Sequence, residues 1–227
     1  MKLSEFIKRV KLAVPNTNQT GIEDDYITTL LNAGCDKVNL LTKVYKGYTD
    51  FNIVAEQRLY DFATYVPTYL GTAKKGLFFK DSDGNWQDII PKTEAWLSEI
   101  YPDYLNSTST SIPTWFYIEP TELGFHPPPS TAYAGGARLY HLKKANKMSG
   151  DDDFPFSGNT TEITALSALD DAIIAFCVWK LSPSFGQISD QDLRYREFIL
   201  ECKQAAKQIK RRRDLTGDSG YRMRLSI

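Results

Sequence analysis

The spacing of apolar residues changes twice along this chain, and that double change constrains its architecture more than any motif does. Leu3, Phe6, Ile7 and Val10 recur at helical spacing and stop at Pro15. Ile22, Tyr26, Ile27, Leu30, Leu31, Val38, Leu41 and Val44 continue the helical period, with Gly34 as a candidate break. From about Tyr48 the period shortens. Ile53-Val54, Leu59-Tyr60-Asp61-Phe62, Leu77-Phe78-Phe79 and Trp86-Gln87-Asp88-Ile89-Ile90 are short apolar-aromatic segments separated by turn residues, as strands are. Asp83-Gly84 predicts a hairpin, because glycine accepts the positive φ of such turns. Glu94–Tyr101 reads as a short helix, then strands return at 115–119, 122–126 and 137–143, with Pro127-Pro128-Pro129 ending one at a sheet edge.

The helical period then resumes. Asp151–Thr161 is a polar loop, followed by Ile163, Leu166, Ile173, Phe176, Cys177 and Leu181 on one face. Pro183 and Gly186 end that helix, and Ser189 with Asp192 predicts a cap for the last one. Tyr195, Phe198, Ile199, Cys202, Ala205, Ala206 and Ile209 give it an apolar stripe opposite its charges. The expected fold class is α+β. The expected segments are N-terminal helices at 1–47, an inserted small antiparallel β unit at 48–147, C-terminal helices at 148–213 packing with 1–47, and an extended tail at 214–227.

Composition narrows the chemistry. Thirteen Tyr, twelve Phe and four Trp crowd mainly between Tyr45 and Tyr140, where they suit strands and interfaces alike. The net charge of −1 hides an asymmetry: residues 203–227 carry eight Lys or Arg against two Asp. A basic end on an acidic body points to an acidic surface or a nucleic acid as partner. Cys35, Cys177 and Cys202 are odd in number and never in a C-x-x-C pair, which fits buried thiols in a reducing compartment. Charges interrupt Met1–Pro15, and the longest apolar run, Ala172–Trp179, is eight residues. Neither an export signal nor a membrane span is expected.

The candidate chemistry resolves toward structure. Asp81–Asn85 resembles a calcium loop, but glycine is fourth and Lys92 stands where a bidentate Glu belongs, so it reads as the hairpin. Asp151-Asp152-Asp153 has no further carboxylate near in sequence to complete a hard-metal shell and reads as a solvated loop. Asp170-Asp171, inside a helix, fits either an exposed face or an interface pair. His126 and His141 both fall on strand segments, and no nucleophile elbow, catalytic-Cys signature or phosphate loop accompanies them. No enzyme activity, cofactor or metal is expected. Lys210-Arg211-Arg212-Arg213, with Arg222 and Arg224, is the strongest interaction signal. Tyr221, Met223, Leu225 and Ile227 alternate with those cations, a period that suits a strand added to a partner's sheet or a tail in a groove.

An ordered series joins these pieces. Trp96–Pro102, Ile112–Ile118, Leu123–Pro129, Arg138–Lys144, the Asp151–Asp153 run and the apolar helix 163–181 follow one another in the order seen in head–tail adaptor (connector, or head-completion) proteins of tailed bacteriophages. The chain resembles that family over roughly residues 48–212, by order and spacing. The resemblance implies a non-enzymatic virion protein forming a homo-oligomeric ring, usually twelvefold, whose helices make a ring body around a DNA channel. It implies a place in the neck between portal and tail, assembly in the host cytoplasm, tail or neck proteins as neighbours, and DNA passing without sequence specificity. It assigns portal docking to Arg211, Arg212, Arg213, Tyr221, Arg222, Met223, Arg224, Leu225 and Ile227, and presents the β-unit aromatics to neighbours. A nucleic-acid-binding protein using the basic C-terminus, or another ring-forming tail component, is the alternative.

Overall fold

The computed structural model describes residues 1–14, 22–81, 83–185 and 191–216. In chain order its elements are α1 (Leu3–Ala13), α2 (Asp24–Thr42), β1 (Lys46–Ile53), β2 (Leu59–Asp61), α3 (Phe62–Tyr65), β3 (Tyr69–Lys80) and β4 (Trp86–Pro91). They continue with α4 (Glu94–Ile100), β5 (Trp115–Ile118), β6 (Glu122–His126), β7 (Tyr133–Lys143), α5 (Asp170–Leu181) and α6 (Gln191–Thr216). The chain divides into two compact units, 1–45 with 144–227 and 46–143.

In the helical unit α5 is the central element. Ala172, Ile173, Ile174, Phe176, Cys177, Val178 and Leu181 are all buried, so α5 is apolar on most of its circumference rather than on one face. That is the pattern of a helix surrounded by neighbours. Around it pack Phe6 and Val10 of α1, Ile27, Leu31, Cys35 and Val38 of α2, and Phe198, Cys202, Ala205 and Ile209 of α6. Gly34 does not break α2. A Cβ there would come within 3.1 Å of Phe176 and 3.4 Å of Ile173, so its missing side chain is the space into which α5 fits. All three cysteines are free and buried. Burial pushes the Cys35 thiol up to about 12 and that of Cys202 to about 11, which leaves them unreactive packing groups.

The Asp151–Asp153 loop starts α1. Its carbonyls accept two of the helix's first amides, Leu3 N–H to Asp153 O at 2.8 Å and Ser4 N–H to Asp151 O at 3.1 Å. The Lys2 ammonium pairs with the Asp152 carboxylate at 2.8 Å. The Asp153 carboxylate accepts from the Gly150 and Ser149 amides, and those bonds hold its pKa below the usual carboxylate range. Asp170 and Asp171 open α5: Asp170 is buried and receives the Met1 ammonium at 2.9 Å, while exposed Asp171 pairs with Arg9 at 3.1 Å. The expected Ser189 cap lies outside the described residues, and α6 begins at Gln191.

The β unit corrects the sequence reading. A helical body carrying a small, wholly antiparallel insert was expected; the chain instead has a mixed α and β architecture with a large seven-stranded sheet, in the order β1-β7-β3-β4-β5-β6-β2. Its β4–β5 pair is parallel, Ile90 opposite Trp115 and Pro91 opposite Phe116. A parallel pair needs a crossover, and residues 92–114 with α4 supply it. The sheet also curls. Phe51 and Tyr60, on the two strands at opposite ends of the order, have ring centroids 5.6 Å apart, and the Val54 amide donates to the Tyr60 hydroxyl. Phe51, Tyr60, Leu77, Phe79, Phe125 and Leu139 fill the inside of the curl. The Asp83-Gly84 turn joins β3 to β4 with Gly84 at φ +85°. β6 ends at His126, before Pro127, but it is not an edge strand, because β2 pairs with its first residues. The tail expectation also shifts: Asp214–Thr216 are helical, in the last turn of α6.

Candidate functional site

The sequence-predicted docking residues divide at the end of α6. Lys210, Arg211 and Arg212 are exposed on its final turns, and Arg213 belongs to the same helix. Cations there complement the helix dipole. Tyr221, Arg222, Met223, Arg224, Leu225 and Ile227 lie outside the described residues. Upstream, the solvent side of α6 carries Leu193 and Leu200, 56% and 53% exposed, then exposed Lys203 and Lys207. Their spacing of three, four and seven residues puts them on one stripe.

A second surface forms on the outer face of β1, β7, β3 and β4. Register places Tyr48 opposite Tyr140, Asp50 opposite Arg138, and Arg138 opposite Phe78. The Arg138 guanidinium donates in a two-pronged fork to the Asp50 carboxylate, Nε to Oδ1 at 2.6 Å and Nη2 to Oδ2 at 2.7 Å. Its flat face lies 4.3 Å from the Tyr48 ring centroid and 4.6 Å from that of Trp86. Tyr140 bridges Tyr48 at 5.7 Å and Phe78 at 5.6 Å. Tyr48 remains 49% and Trp86 36% exposed. Four strands thus present one aromatic surface around a fixed cation, the amphipathic composition that interface cores favour. The crowding of aromatics was visible in the sequence; the Asp50–Arg138 fork, across 88 positions, was not.

The two histidines serve the fold. His141 is fully buried, with Nδ1 2.9 Å from the Leu142 carbonyl and Nε2 3.0 Å from Thr49 Oγ1. A carbonyl only accepts, so Nδ1 carries the proton when the ring is neutral. His126 stacks on Trp115, with centroids 5.8 Å apart and planes at 15°. Burial lowers the pKa of both. A cavity of about 500 Å³ opens where β3 departs from β7, lined among others by Thr72, Gly76, Lys92, Glu94, Phe116 and Tyr140. Among the described residues no three Asp, Glu, His or Cys side chains group so as to hold a metal ion. Nor is any helix among them long and apolar enough to cross a membrane.

The features that stand out are an aromatic sheet face and a long helix with a basic end. No curated protein matches the chain. A family model described as SU10 adaptor protein matches residues 1–224, which takes in both compact units. The chain belongs to the SU10 adaptor protein family, a family of phage adaptors.

Proposed function

We propose that this protein is the structural adaptor between the portal and the tail of a tailed phage, a non-enzymatic ring in the virion neck. The ring, twelvefold by family resemblance, extends the DNA channel and gives the tail an attachment platform. It assembles in the host cytoplasm, and DNA passes through it without sequence specificity. The observation that carries this reading is the family match across residues 1–224. The aromatic sheet face around Arg138 supports it as a surface for neighbouring neck or tail proteins.

Portal docking falls on Arg211, Arg212 and Arg213 with Tyr221, Arg222, Met223, Arg224, Leu225 and Ile227. Closed symmetry repeats each contact, so docking through individually weak contacts gains from repetition around a ring. Ile209 is the last buried residue of α6 among those whose side chains are described, so removing residues 211–227 takes away none of the described core. The truncated protein should fold and assemble as the full chain does, yet fail to capture its portal in a pull-down. Full capture by the truncated protein would overturn the docking assignment. A second reading is favoured by one observation, the exposed basic end of α6: binding of nucleic acid through Lys210–Arg213. It requires DNA affinity without a portal that falls steeply as salt rises.

A further inference from the structure

Two helices of the helical unit each keep an apolar stripe on the side away from the core. α2 buries Ile27, Leu31, Cys35 and Val38, while Tyr26, Ala33 and Leu40 are exposed, Tyr26 by 50% and Leu40 by 40%. α6 buries Phe198, Cys202, Ala205 and Ile209, while Leu193, Leu200 and Lys207 are exposed. Both exposed sets recur every seven residues, the repeat that keeps one face of a helix turned to a neighbouring helix over several turns. Between them lie Leu30 and Lys37 on α2, and Glu197 and Gln204 on α6. Each stripe therefore steps by four, three, four and three residues, the seam of a packed helix pair.

Charge makes the two seams complementary in one direction. Laid antiparallel with Leu200 over Ala33, the equal spacing brings Leu193 to Leu40, Glu197 to Lys37 and Lys207 to Tyr26. A leucine then enters the space an alanine leaves, a carboxylate faces an ammonium, and a lysine faces an aromatic ring. The acidic start of α2, with Glu23 and Asp25, comes beside Lys207 and Lys210. Among the described residues Glu23, Asp25, Lys37 and Lys207 form no ion pair within the chain. Glu197 pairs only with Arg194 of its own helix, at 3.0 Å. Parallel packing would instead set Glu23 and Asp25 near Asp192, and Lys43 near Lys210, like charge against like. Opposed helix dipoles favour the antiparallel choice as well.

We infer that the outer stripe of α6 packs antiparallel on the outer stripe of α2 of a second copy of the chain, Leu200 against Ala33. The inference rests on the ring reading and names the surfaces through which neighbours meet. The two stripes are different patches, so the contact is head-to-tail, the type whose repetition closes a ring. Each copy gives one α6 and receives another on its α2. In this register Lys210 stands level with Glu23, at the start of α2, which leaves Arg211 and the residues after it for the portal.

Charge exchange and cross-linking test the pairing. Assembly of the full-length protein is followed by sedimentation velocity over a concentration series, with circular-dichroism melts to confirm folding. Lys37→Glu and Glu197→Lys, taken singly, should each raise the concentration needed for assembly by about tenfold. Both changes in one chain should restore it. If Glu197→Lys prevents folding, Leu200→Asp, at an exposed position, takes its place and should weaken assembly in the same direction. Ala33→Cys and Leu200→Cys, made in separate chains, should couple through a short bis-maleimide only when the two are mixed, since the native thiols are buried. Coupling within either population alone would mean like helix on like helix and overturns the pairing. Wild-type-like assembly by the folded single variants, or failure of the exchanged chain to recover, overturns it too and leaves the ring reading standing. A wild-type chain that stays monomeric at every concentration overturns the ring reading, and the pairing with it.

Discussion

The side chain of Asn39 holds the backbone of Tyr45 from both sides: its Nδ2 donates to the Tyr45 carbonyl at 2.9 Å, and its Oδ1 accepts the Tyr45 amide at 2.8 Å. The same face of α2 repeats the device on the segment that returns from the sheet. Asn32 makes a two-way pair with the Met148 backbone, and the Asp36 carboxylate accepts the Ala145 amide at 2.8 Å. Positions 32, 36 and 39 lie four and three apart, so one polar stripe on α2 fixes the chain where it leaves the helical unit and where it comes back.

Asn39 is fully buried, so its loss removes two buried hydrogen bonds to the Tyr45 backbone. Asn39→Ala should lower unfolding free energy by about 2 kcal/mol, the typical cost of stranding buried polar groups. Asn39→Asp, which keeps the acceptor but removes the donor and buries a charge, should cost at least as much. Urea denaturation with intrinsic fluorescence measures both, and a change within error of zero would show that the stripe does not hold the connectors.

Gly34 tests the packing of α2 on α5. Helix propensity alone would favour a larger residue by about 1 kcal/mol. The 3.1 Å approach of Phe176 predicts the opposite for a bulky one. Gly34→Leu should destabilise the protein by about 2 kcal/mol through overpacking, read as a lowered thermal midpoint.

Acid sensitivity should follow the histidines. Both have folded pKa values below the ordinary 6.5, because burial disfavours the charged ring. Below that value the unfolded chain binds protons that the folded chain does not, so stability falls as pH falls. Denaturant midpoints should therefore drop between about pH 7.5 and about pH 5.5, a range that stays above ordinary carboxylate titration. His126→Gln with His141→Gln should flatten that slope, although it lowers stability overall. An unchanged slope would assign the acid sensitivity to other groups.

The outer sheet face should separate stability from assembly. The Asp50–Arg138 fork is partly exposed, so Arg138→Ala should cost no more than about 1 kcal/mol of stability. It also frees the Tyr48 and Trp86 rings from the cation between them. If this face meets neighbouring neck or tail proteins, the variant should bind them at least about tenfold more weakly while melting near the wild type. Unchanged binding would remove this face from the interface.

Sequence legibility followed local physics. α1 showed in Leu3, Phe6, Ile7 and Val10 because one face of it is buried and the other meets water. α4 showed in its apolar residues, and Thr93 caps it by accepting the Trp96 amide. The full extent of β1 did not show. Its outward residues include Tyr48, and its inward set begins with Gly47 and Thr49, so polar and apolar residues do not alternate. β3 was recognised only at Leu77–Phe79, because Tyr69–Gly76 contains two glycines and two lysines in place of a strand pattern. The parallel β4–β5 pair and the curl are made by residues distant in sequence, and no local period encodes them. Gly34 read as a break because its packing partners, Ile173 and Phe176, lie on a helix far along the chain.

Electron microscopy of the purified protein mixed with its portal, beside the protein alone, tests the central claim most directly. The account predicts a ring of copies stacked coaxially on the portal, with the C-terminal end of α6 at the junction and the aromatic sheet face turned to neighbouring proteins. A monodisperse monomer that ignores the portal, or one that shifts DNA on a gel in its absence, would contradict it.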